Sequence, residues 1–118
     1  MKTLLLTLSL LLFSTALYVS TPPTTLIKGV CVVEFNAGFN SSNSVSWVED
    51  LSDCKGSRVD IAANPDMQKK HEIVVVPTII IFNDGVEVKR FQANIMMQLE
   101  ASKADVQEAV DDVIMSAF

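Results

Sequence analysis

The sequence predicts an α/β domain with a central mixed sheet of about four strands flanked by helices, and three observations carry that expectation. Strand and helix patterns alternate from residue 29 onward. The turn Asn83-Asp84-Gly85 separates two apolar runs, as in an antiparallel hairpin. The chain has 118 residues, 49% of them apolar, which is enough for one core and not two. Its net charge of −5, with the 9 Lys and Arg scattered, argues against an electrostatic grip on nucleic acid.

Met1-Lys2-Thr3 followed by the Leu-rich run Leu4 to Phe13 reads as a secretory signal. Ser14-Thr15-Ala16 supplies the small residues of a cleavage site, placing the signal at 1–16. The apolar run is shorter than the roughly 20 residues a membrane-spanning helix needs, so no stable span is expected after cleavage. Residues 17–28 contain Ser20-Thr21-Pro22-Pro23-Thr24-Thr25 and serve as a linker or the start of the domain, which occupies 29–118.

Within the domain, the Val-rich run at 29–36 is apolar almost throughout, the pattern of a central strand covered on both faces. A short helix is expected next. Asn43 or Ser44 would cap it, with Val45, Val48 and Leu51 inward and Glu49, Asp50 and Asp53 in water. Lys55 to Ile61 reads as a second strand. Asn64-Pro65-Asp66 supplies the cap, first-turn proline and dipole-compensating acid of a helix ending near His71. Thr78–Phe82 and Val86–Phe91 flank the hairpin turn, where Gly85 can take a positive φ. Ser102-Lys103-Ala104-Asp105 forms a capping box with Asp in place of Glu and opens a last helix with Val106, Val110, Val113 and Ile114 on one face.

Val33-Glu34-Phe35-Asn36-Ala37, Phe39, Asn64-Pro65 and Val76-Pro77-Thr78, spread over residues 29 to 95, together resemble the thioredoxin family. The resemblance implies a buried acid at Glu34, a tryptophan position filled by Phe39, and a cis-proline segment at Val76-Pro77. It also places Asn40 and Asn43 at the two cysteine positions, so the chain is expected to lack the Cys-x-x-Cys motif. The segment between Asn43 and Lys55 is shorter than the family's second helix. Gln92-Ala93 stands where the family has a glycine near its substrate groove. If the leader is removed, the family's opening strand and helix are missing; alternatively, Leu4 to Tyr18 is that folded beginning.

Carboxamides neither ionise nor attack sulfur, so dithiol–disulfide exchange is not expected from Asn40 and Asn43, and no catalytic residue is assigned. Ser41 and Ser42 lack a neighbouring base, because the sole histidine, His71, belongs to a different element. With one histidine and no paired cysteines, neither a metal site nor a cofactor is expected. Cys31 and Cys54 lie near the starts of adjacent strands in the family layout and are either a structural disulfide or free thiols, Cys54 being the more exposed of the two. Arg58 is the cation expected to meet Glu34. Trp47 is expected in the core or over the short helix. Asn40-Ser41-Ser42 also satisfies the N-glycosylation sequon.

The resemblance further implies a groove beside Pro77, framed by Phe39, Val75, Val76 and Thr78, that pairs with the main chain of an extended peptide and needs no cysteine. The leading expectation is a redox-inactive peptide- or protein-binding, chaperone-like module, exported to the periplasm or the extracellular space of a bacterium. Two alternatives stand beside it: an oxidoreductase using Cys54, and a structural assembly domain. Oligomeric state is open at this point.

Overall fold

A computed structural model describes residues 28–118. The expected signal at 1–16 and nearly all of the expected linker lie outside these residues. The described chain runs β1 (Val30–Asn36), β2 (Lys55–Asp60), α1 (Pro65–Lys70), β3 (Thr78–Asn83), β4 (Val86–Gln92) and α2 (Lys103–Ser116), with short 3-10 turns at Gly38–Asn43 and Val48–Asp50. The strands form one mixed sheet in the order β2-β1-β3-β4. β1 pairs parallel with β2 and antiparallel with β3, and β3 pairs antiparallel with β4.

β1 and β3 hold the centre of the sheet, which is why their sequences are apolar on both faces. On the face covered by α2, the core is Val32, Val48, Leu51, Ile79, Ile81, Val106 and Val110. The other face buries Phe35, Ala37, Ile61, Ile73, Val76, Ile80 and Phe82. The α2 capping box forms as its spacing predicts: Ser102 Oγ accepts from the Asp105 amide at 3.2 Å, and Asp105 Oδ2 accepts from the Ser102 amide at 2.9 Å. At the β3–β4 hairpin, Asp84 and Gly85 both have positive φ, 52° and 85°. That is the pair of left-handed residues a two-residue turn matching the strand twist requires.

Two expected caps do not form. Asn64 makes no side-chain bond to the start of α1; its Nδ2 instead donates to the Asp60 carbonyl at 2.9 Å, leaving Pro65 to begin the helix. No helix follows Asn43 either. Ser44 is extended (φ −65°, ψ 142°) and closes the turn before it, its amide donating to the Ser41 carbonyl at 3.1 Å, so neither Asn43 nor Ser44 caps the start of a following helix. The cause lies in β1 and β2: Glu34 Oε2 takes the Val45 amide at 3.0 Å, and Arg58 Nη2 donates to the Val45 carbonyl. Backbone groups captured by side chains on the sheet are unavailable to a helical ladder. Trp47 packs, half-buried, against the α2-side core.

The end of α1 is fastened to β4 by Arg90, which donates to the carbonyls of His71 (2.8 Å) and Glu72 (3.2 Å) while pairing with Glu87 at 2.7 Å. The same guanidinium holds the Glu87 carboxyl below the usual carboxylate range. The His71 ring sits between Phe35 and Phe82, with centroids at 5.3 and 5.2 Å. Burial first and then Lys70 push its pKa below the ordinary 6.5, Glu87 pulls against them, and Arg90 adds the smallest downward push. A histidine held neutral in the fold but titrating normally when unfolded favours the native state above about pH 6.5 and loses that contribution as pH falls through the lower, folded pKa. Urea titrations between about pH 7 and pH 5 are therefore expected to show a downward stability slope that His71→Leu flattens. An unchanged slope in the variant would assign the acid sensitivity elsewhere.

Candidate functional site

The carboxyl end of β1 runs into a polar cluster centred on Asn40. Its side chain is only 3% exposed, although it belongs to a turn whose neighbours Phe39 and Ser41 face water. Asn40 Nδ2 donates to Asn36 Oδ1 (3.2 Å), to the Met97 carbonyl (3.1 Å) and, more distantly, to the Val76 carbonyl (3.4 Å). Asn40 Oδ1 accepts from Asn43 Nδ2 at 2.8 Å. Asn36 Nδ2 closes the cluster on the Asn40 carbonyl (3.1 Å) and Ser44 Oγ (2.9 Å). One carboxamide thus ties together β1, the turn after it, the segment before β3 and the loop after β4.

That last loop is set by Asn94. Its Oδ1 accepts from the amides of Met96 (2.8 Å) and Gln98 (3.1 Å), an Asx-type turn that lets Met97 adopt φ 58° and aim its carbonyl at Asn40. The Val76–Pro77 peptide is cis. Asn40→Ala would leave the Val76 and Met97 carbonyls and the Asn43 amide short of a buried partner, so the variant is expected to lose about 2 kcal/mol by urea denaturation. Loss below about 0.5 kcal/mol would mean the cluster is solvated in solution.

Above the cluster lies an open groove of about 390 Å³ that no charged residue lines. Phe39 (77% exposed), Val74 (76%) and Ile95 (96%) form its apolar rim. Phe39, Val75 and Val76 line it, as the sequence leads one to expect. Pro77 and Thr78 do not. Both are fully buried, and their polar atoms are engaged: Thr78 Oγ1 donates to the Val75 carbonyl at 2.7 Å, and the Pro77 carbonyl accepts from Ala93 at 3.1 Å. They support the groove from beneath, because the first residues of a central strand point into the core.

The chain compares with solved structures as follows. A mutant thioredoxin from Halobacterium salinarum superimposes with a TM-score of 0.62 at 18% identity, covering 75% of this chain and 78% of that one. A thioredoxin from Schistosoma mansoni gives 0.57 at 20% identity, covering 72% and 77%. One from Fasciola hepatica gives 0.53 at 20%, covering 71% and 80%. The chain has the thioredoxin fold. At these identities the likeness is one of fold. No protein-family model matches the sequence, and a search of curated proteins finds no match.

Within this thioredoxin fold the sulfur atoms sit away from Asn40. Cys31 and Cys54 are free thiols, each half-buried. Cys31 packs with the α1-side core and Cys54 with the α2-side core, so the sheet separates their packing and no disulfide joins them. Cys54 is less exposed than its polar sequence neighbours imply. Burial, and then the proximity of Cys31, Asp53 and Asp111, raise its pKa above the ordinary thiol value.

Glu34 is fully buried and meets Arg58 directly across the parallel β1–β2 register, Nε to Oε1 at 3.0 Å. Among the described residues, no group of three or more His, Cys, Asp or Glu side chains is placed to hold a metal ion, and no helix is long and apolar enough to cross a membrane. Besides Val74 and Ile95 at the groove rim, sequence reasoning missed Asn94 and Gly56. The first was signalled by an Asn ahead of Ile95-Met96-Met97, the second by a glycine in the middle of a predicted strand.

Proposed function

We propose that this chain is a thioredoxin-fold domain without dithiol–disulfide exchange that binds extended peptide segments after export to the cell envelope. The single observation that carries the reading is the Asn40 cluster. At the positions where the resemblance puts two cysteines, Asn40 and Asn43 offer a hydrogen-bonded pair of carboxamides, neither of which can form a thiolate or a mixed disulfide. Cys54 does not replace them. A thiol whose pKa is raised by burial and nearby acids is the protonated, slow form, and it has no resolving partner.

Peptide binding is supported by the groove above the cluster. It is uncharged, its rim carries exposed Phe39, Val74 and Ile95, and the amides of Val74, Val75 and Val76 donate to no acceptor among the described residues. Free main-chain donors flanked by apolar side chains are what strand addition uses. The exported setting rests on the sequence of residues 1–16 alone.

Insulin reduction in the presence of dithiothreitol tests the redox half: the rate is expected to equal that of dithiothreitol alone, and turnover abolished by Cys54→Ser would overturn it. For the binding half, titration with an extended apolar peptide is expected to shift the amide resonances of Val74–Val76, and Val74→Asp is expected to weaken that binding about tenfold by placing a charge on the apolar rim. Equal affinity for the Val74→Asp variant would move the peptide elsewhere on the surface.

A further inference from the structure

A second cavity, of about 220 Å³, opens between α1 and the sheet and shares no lining residue with the groove. Its floor runs along β1 through Cys31, Val33 and Phe35, alternate residues on one face of the strand, with Val59 of β2 and Phe82 of β3 to either side. At about 3.3 Å per residue, that row is about 13 Å long. The facing wall is α1 and the residue after it: Met67, Lys70 and His71, whose i, i+3, i+4 spacing turns them together towards the strands.

The charge at this cavity is of one sign. Among the described residues no carboxylate lines it, and the Lys70 ammonium has no acidic partner. Glu87, the acid that acts on the His71 ring, is committed elsewhere, its two oxygens taken by Arg90 Nε at 2.7 Å and Nη2 at 2.8 Å. His71 is held neutral at pH 7 by burial and by Lys70 itself, which leaves the ammonium as the uncompensated charge. A long apolar slot edged by one unpaired cation complements a molecule with an apolar tail and a single negative head. At about 30 Å³ for each water-sized group, the space holds a tail of about seven carbons.

We propose that this cavity binds a medium-chain monocarboxylate, its alkyl tail lying along Cys31, Val33 and Phe35 and its carboxylate meeting Lys70. The site is separate from the peptide groove and does not depend on it.

Octanoate is the probe. In calorimetric titrations of the full chain at pH 7, it is expected to bind about tenfold tighter than hexanoate, since each fully buried methylene is worth about fourfold. Decanoate is expected to gain less than about twofold over octanoate, because the slot is then full. Octanamide, which matches octanoate in size without its charge, and octanoate added to a Lys70→Gln chain should each bind about threefold more weakly, the scale of one half-exposed ion pair. Cys31 supplies an independent reading. Octanoate is expected to slow its alkylation by N-ethylmaleimide, followed by mass spectrometry, while Cys54, which packs on the other face of the sheet, reacts at an unchanged rate. Absence of octanoate binding, or binding that leaves Cys31 unprotected, overturns the proposal. An affinity that keeps climbing through decanoate at the same step per methylene marks adsorption to exposed apolar surface and overturns it too. Octanamide binding as tightly as octanoate overturns the assignment of a carboxylate. Cys31 already unreactive before octanoate is added, whether residues 1–27 or a second copy of the chain covers the cavity, likewise rejects the proposal.

Discussion

Gly56→Ala is expected to destabilise the domain by about 3 kcal/mol, near the upper end of what overpacking a close-packed site costs. A methyl group at this position would fall inside the van der Waals envelope of the Val48 carbonyl, and the Val48 carbonyl carbon and the Cα of Glu49 crowd it too. These are backbone atoms. No rotamer change can relieve the contact, so either β2 leaves β1 or the Val48–Asp50 turn lifts off the sheet. Lifting the turn would expose Val48, which is fully buried in the α2-side core, and would loosen Leu51 behind it. Gly38→Ala is the matched control. Its added methyl would meet only Asp60 Oδ2 at 3.8 Å, an ordinary contact, and its φ lies outside the left-handed region. Urea midpoints for the two variants should therefore differ by most of the Gly56 effect. Similar midpoints would mean that the Val48–Asp50 turn does not rest on β2 in solution.

The same glycine shows why part of the fold was legible and part was not. Every strand, the hairpin, α1 and the capped α2 follow from local patterns, because each is specified by residues adjacent in sequence: the apolar run of β1, Asp84-Gly85, Pro65, and Ser102 with Asp105. The segment from Asn43 to Leu51 is different. Its Val, Leu and acid spacing fits a helix, yet Ser44 is extended and the amide and carbonyl of Val45 are taken by Glu34 and Arg58, residues 11 and 13 positions from Val45. A tertiary capture of this kind overrides a weak local propensity, and nothing in residues 43–51 announces it.

The candidate site divides along the same line. Phe39, Val75 and Val76, which the resemblance to thioredoxins implies for a groove beside Pro77, do line the groove found there. Thr78 and Pro77, implied by the same resemblance, do not line it, because both side chains are buried at the entry to the central strand β3. Asn40 was readable as a position without redox chemistry. Its role as a cross-link was not, since two of its partners, the carbonyls of Val76 and Met97, lie 36 and 57 residues away. That role also bears on the sequon Asn40-Ser41-Ser42. Glycan transfer needs the side-chain nitrogen of Asn40, which is buried and engaged in the native state, so the folded domain is not a substrate for it.

Arg58→Met is the second change expected to cost about 3 kcal/mol, and for an electrostatic rather than a steric reason. Glu34 is fully buried in β1; its Oε1 is met by Arg58 Nε at 3.0 Å and its Oε2 by the Val45 amide at 3.0 Å. Methionine fills similar volume but leaves a carboxylate inside the sheet with one neutral donor, and a buried charge deprived of its partner is among the costliest defects a point substitution makes. Lysine is not an adequate substitute. The guanidinium reaches Glu34 through Nε, Glu49 through Nη1 and the Val45 carbonyl through Nη2, a fork that a single ammonium cannot reproduce, so Arg58→Lys should forfeit about half of the same stability. The Glu49 arm contributes little, because Glu49 is 65% exposed and Glu49→Gln should change stability by no more than about 0.5 kcal/mol. The deciding measurement is the double variant Glu34→Gln with Arg58→Met. The carboxamide introduced by Glu34→Gln would still accept from the Val45 amide while carrying no charge, so the pair should recover more than about 1 kcal/mol over Arg58→Met alone. If the two substitutions simply add, Glu34 is solvated through the cleft beside Ser41 and Ser44, and the stretch from Ser44 to Val45 is held by packing instead of by the ion pair.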